Sequence, residues 1–197
     1  MTEDELSSLV SKIKYGSYYE RIVALGNLAD SDADINQVSS ILSSIFTSDQ
    51  EDGNVRAWAA IAIARLGAPI EPVSSFLLKV LEYSAQNPDE MSRVGILERE
   101  MAHALSEFFM DENVTRRLIT VVQNAGVGGF TDVLSRDRLE DVIDNCLLAI
   151  GVLGHESGRE FLEYWKNKGN VTAAVALEYY GHSWETIADA LAAKKKE

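Results

Sequence analysis

The chain has 197 residues, 46% hydrophobic and 25% charged, with a formal net charge of −13, globular proportions that supply enough apolar matter for a sizeable core. So large an acid excess disfavours a phosphate backbone as partner and suits a neutral or basic protein, whose encounter such a field accelerates. No stretch nears the roughly 18 uninterrupted apolar residues of a membrane span, the start MTEDELSSLV is acidic where a signal peptide is basic, and one cysteine forms no internal disulfide. These features predict a cytoplasmic protein that binds neither nucleic acid nor membrane.

Apolar residues recur at three- and four-residue spacing and strand signals are nearly absent, so the chain reads as helical throughout. The predicted helices are 3–14, 18–29, 35–47, 54–67, 72–85, 91–109, 113–124, 138–153, 157–168, 171–180 and 183–194. Ser17-x-x-Glu20, Asp137-x-x-Glu140 and Ser157-x-x-Glu160 have the spacing of capping boxes, and Asn54, Asn113 and Asn170 each precede a valine as an N-cap would. Charge is uneven along this array: residues 1–53 hold ten acids and three bases, net −7, whereas residues 156–197 hold seven and six, net −1.

The helix in NVRAWAAIAIARLGAP, residues 54–69, is the most informative. It offers water only Arg56 and Arg65 among alanines, branched aliphatics and Trp58, so its narrow polar face predicts neighbours on more than one flank. Gly67 and Pro69 supply the left-handed residue and the breaker that end it. Its core pattern, alanine then leucine or isoleucine with a large apolar residue closing, recurs in ALGNL (24–28), AIARL (62–66), ALSEF (104–108), AIGVL (149–153) and ALEYY (176–180). The leading alanines stand 38, 42, 45 and 27 residues apart. Spacing near 40 with two helices per unit is that of HEAT and armadillo solenoids, where a small residue sits at each close helix approach.

In NVRAWAAIAIARLG, ERIVALGNL and DNCLLAIGVLG the chain resembles the HEAT-like repeat proteins, particularly the short-repeat group that includes the phycobiliprotein lyases, over most of residues 15–181. EREMAHALSEFF departs by lacking the closing glycine, and the final spacing of 27 is short for a repeat. The fold expected is an all-α, right-handed solenoid of about five helical pairs with a C-terminal closing helix, forming a single domain. The resemblance also implies an alternative function, a bilin lyase or lyase-like chaperone of phycobiliproteins. A DNA-binding HEAT protein, a lesser alternative, should carry a basic groove, which this composition opposes.

Sites of chemistry are sparse. Deoxyhypusine hydroxylases, which look like HEAT proteins, hold two irons through several His-Glu pairs; here only His155-Glu156 is such a pair, since His103 precedes Ala104 and His182 precedes Ser183. The glycine-rich AGVGGF (125–130) has neither the following Lys-Ser/Thr nor the preceding strand of a phosphate loop, and reads as part of a long connection, 125–137, whose Phe130 and Arg136–Arg138 could form a binding edge. Cys146, among apolar neighbours in DNCLLAIG, reads as a buried, inert thiol. No catalytic residue, cofactor or metal is predicted. The expected function is non-catalytic: a groove lined by helices 18–29, 54–67, 91–109, 138–153 and 171–180 grips a protein or peptide, with Tyr19, Arg56, Arg65, Glu98 and Phe130 as contacts.

Overall fold

The computed structural model describes residues 1–68, 70–88, 96–126 and 133–195. Among them every regular element is a helix, as the apolar spacing predicts. Helices α1 (Glu3–Tyr15), α2 (Tyr18–Ala29), α3 (Ile35–Thr47), α4 (Gly53–Arg65) and the first residues of α5 (Glu71–Gln86) form one compact unit, Met1–Leu77. The rest of α5 joins α6 (Ile96–Phe108), α7 (Glu112–Gln123), α8 (Val133–Leu153), α9 (Glu156–Asn167), α10 (Val171–Glu178) and α11 (Trp184–Lys194) in a second, Leu78–Glu197.

In the first unit α2 packs on α1, and α4 packs on both α2 and α3. Cover from two sides explains why α4 buries Val55, Ala57 and the whole run Ala59–Ala64. Gly26 of α2 lies beneath the Trp58 indole; a Cβ there would meet the ring at 3.4 Å. In the second unit α8 is the hub, touching α6, α7, α9, α10 and α11, while α9 packs on α7 and α10. Hence α6, α8 and α10, which the repeat expectation makes the second helices of successive pairs, touch one after another, as α2 and α4 do in the first unit. All five pattern alanines, Ala24, Ala62, Ala104, Ala149 and Ala176, are buried.

Helix starts separate the local signals that decide structure from those that do not. Ser17 and Glu20 form both bonds of a capping box, as do Thr2 and Glu5 at α1, and Asn170 accepts the Ala173 N–H at 2.7 Å. Four other expected caps fail. Asp52 rather than Asn54 caps α4, and Asp111 rather than Asn113 caps α7, because in each case an aspartate two residues earlier accepts the asparagine's own N–H at 2.8 Å. Asp137 lies inside α8, which begins at Val133, and Ser157 lies inside α9, which begins after His155. Gly67 takes the left-handed conformation expected of it, with φ +92°. Pro69 lies outside the described residues, as do 91–95 at the expected start of the sixth helix.

Candidate functional site

The largest exposed aromatic feature of the first unit starts from the cap of α2. With Ser17 fixing the helix start, Ala24, Leu25, Leu28 and Ala29 face inward, which turns Tyr19, Val23, Asn27 and Asp30, spaced four, four and three residues apart, toward water as one stripe. Tyr19 is 72% exposed, and Tyr15 at the end of α1 is 82% exposed. Tyr18 is half-exposed as well, its hydroxyl accepting the Asn54 side-chain N–H at 2.9 Å and so tying its ring to α4. Adjacent helical residues point in different directions, yet both tyrosines reach water, because the α2 core begins only at Ala24.

Asn27 and Asp30 carry the stripe into a depression of about 640 Å³, also lined by Asp4, Glu5, Leu9, Lys12 and Asp32. The bond from the N-terminal amine holds the Asp32 carboxyl below the usual range, and the Thr2 N–H does the same for Glu5. Asp30 takes the Arg65 guanidinium at 2.5 Å, yet remains largely open to water. An aromatic stripe leading into an acidic hollow suits a segment that carries both apolar and cationic side chains.

The other expected contact residues are placed differently. Arg56 turns back into its own unit, where its Nε donates to the Phe46 carbonyl at 3.0 Å and its guanidinium lies over the Phe76 ring at 5.0 Å, with Asp49 at 3.5 Å. Arg65 is held by Asp30, with its side chain only 10% exposed. Glu98 does not fit the expectation of a surface contact: it is 2% exposed, inside the second unit. Its Oε1 accepts from the Ser84 hydroxyl at 3.3 Å, its Oε2 has no partner, and burial raises its carboxyl above the ordinary value despite the nearby Arg138. Phe130 lies outside the described residues. The expected connection 125–137 is shorter than predicted, since α8 already holds Arg136, which pairs with Glu140 at 3.1 Å one turn on.

Of the groups capable of chemistry, Cys146 is fully buried, and burial pushes its thiol up to about 12. His155 opens α9 without a side-chain cap, and its carbonyl accepts the Tyr180 hydroxyl. A site that sequence reasoning missed joins His103 and Glu107 of α6 to Glu185 of α11, whose candidate ligand atoms all lie within 4.8 Å of one another. Its traceable signal is the i, i+4 spacing of His103 and Glu107, which puts both on one helix face; their meeting with Glu185 is tertiary.

No family model matches the chain, and no curated protein or solved structure is significantly similar to it. Among the described residues, no helix is long and apolar enough to cross a membrane.

Proposed function

We propose that the chain is a protein-interaction module of the α-solenoid kind, a right-handed array of about five HEAT-like helical pairs with α11 as closing helix, and that it holds a basic segment of a protein partner. The contact face is the stripe of α2. Tyr19 and Val23 provide the apolar anchor, and the hollow around Asp4, Asp30 and Asp32 receives lysine or arginine. The observation that carries this reading is the continuity of Tyr19, exposed at the head of the stripe, with carboxylates at its foot. The pairing of second helices within each unit and the buried pattern alanines support the repeat reading. Such a face draws its affinity from a few aromatic anchors and its encounter rate from charge.

Selection of displayed random peptides on the intact chain, with counter-selection on a Tyr19→Ser/Val23→Ser double variant, tests the proposal. Recovered peptides should combine an apolar anchor with lysines or arginines, and their binding should weaken steeply with salt. Recovery of acidic peptides, or equal recovery by both chains, would overturn it.

A further inference from the structure

We infer that His103, Glu107 and Glu185 form a binding site for one divalent first-row transition ion, with Zn²⁺ the best match to its donors. The site is independent of the α2 face. His103 and Glu107 stand one turn apart on α6, and Glu185 arrives from the first turn of α11, which packs on α6. The His103 Nε2 lies 3.8 Å from Glu107 Oε1 and 3.7 Å from Glu185 Oε1. Those separations exceed the roughly 2.7–3.2 Å of direct hydrogen bonds. They lie close to the spacing of about 3.3–3.4 Å between two ligands that each sit 2.0–2.1 Å from a tetrahedral ion, and with all three ligand atoms within 4.8 Å of one another a rotation of the exposed Glu185 side chain closes the set around an ion.

The surroundings fix the ligands as metal sites require. The imidazole stacks on Trp184, with ring centroids 4.8 Å apart and planes 23° apart, which sets its orientation. Glu107 Oε1 also accepts the Trp184 backbone N–H at 3.3 Å, so the residue beside Glu185 helps hold Glu107. His103 and Glu107 are mostly covered, whereas Glu185 is mostly exposed, leaving an entry path and room for water at a fourth position. One imidazole beside two carboxylates selects against Mg²⁺ and Ca²⁺, which prefer all-oxygen shells, and suits Zn²⁺ and its neighbours.

The test is calorimetric titration of the full chain with ZnCl₂ after chelator treatment, beside the variants Glu185→Gln, His103→Ala and His182→Asn. Glu185→Gln changes an exposed side chain and leaves the fold intact by circular dichroism; His182, exposed and outside the cluster, controls for adventitious imidazole binding. The expected result is saturable binding of one ion per chain, weakened about tenfold or more by Glu185→Gln and by His103→Ala and unchanged by His182→Asn. The Co²⁺-loaded chain should show visible absorption that Glu185→Gln reduces. Absence of saturable binding, binding that folded Glu185→Gln retains in full, or loss in His182→Asn would each overturn the assignment.

Discussion

Gly151 and Ala176 approach so closely that a methyl group on Gly151 would stand 2.7 Å from the Ala176 methyl. The contact joins α8 to α10 beside a hydrogen bond from the Gly181 N–H to the Gly151 carbonyl, 2.8 Å long. Two effects oppose each other in Gly151→Ala. Alanine favours a helix interior by about 1 kcal/mol, whereas overpacking a close contact costs roughly 1–3 kcal/mol. Since Ala176 presents a short side chain that cannot swing away, overpacking wins, and urea denaturation should show a net loss of stability. An unchanged or higher midpoint would mean that α8 and α10 can part without cost.

Arg21 knits the first unit together. Its Nε donates to the Ile13 carbonyl at 2.9 Å, and its two terminal nitrogens meet the Glu51 carboxylate at 2.9 and 2.5 Å. The guanidinium holds Glu51 below its ordinary 4.5. A depressed carboxyl contributes stability above its unfolded pKa and loses it as pH falls through the folded one. Glu51→Gln should therefore cost roughly 1.5–3 kcal/mol at pH 7, the range for a hydrogen bond to a charged group, and far less near pH 3. A penalty independent of pH would show that charge does not hold this joint.

Glu98 has the opposite sign. Its carboxyl is raised by burial, so the stability associated with its protonated form is fully present below the unfolded pKa and lost as pH rises through the folded one. Glu98→Gln removes that loss. Its melting temperature relative to the parent chain should climb as pH is raised from 4 to 7, and a flat difference across that range would contradict the burial of an ionisable carboxylate there.

How much of this was legible beforehand follows from how local each signal is. Ser17 and Asn170 could be recognised as caps because a cap depends on residues within one turn. Asn54 misled because Asp52, two residues earlier, accepts its N–H and caps the helix first. Asp137 and Ser157 misled because their helices had already begun, at Val133 and Glu156. The apolar run of α4 implied neighbours on two flanks, and those are α2 and α3. Glu98 looked like any exposed acid, for its burial depends on Ser84 and on helices far along the chain. The site at His103 was missed for the same reason: Glu185 meets α6 only through the fold.

Ala62 tests the part that was legible. It is fully buried in the run of α4 enclosed by α2 and α3, where a leucine has no open side to enter. Ala62→Leu should destabilise the chain by roughly 1–3 kcal/mol in thermal or urea unfolding. A parental midpoint would mean that the helices around α4 yield to three added carbons.

Cys146 offers an independent reading of the same packing. Only the thiolate reacts with disulfide reagents, and with the thiol fully buried and pushed up to about 12, almost none exists in the folded chain at pH 8. Labelling must then proceed through opening of the region around α8, at a rate proportional to the open population. The native chain should react slowly and the urea-unfolded chain at once. Gly151→Ala, which strains the same helix one turn further on, should speed native labelling by about tenfold for each 1.4 kcal/mol it removes when labelling and unfolding report one opening. Rapid labelling of the parent chain would contradict the enclosure of Cys146. Slow labelling left unaltered in a destabilised Gly151→Ala would instead show that the contact with α10 opens separately from the core of α8.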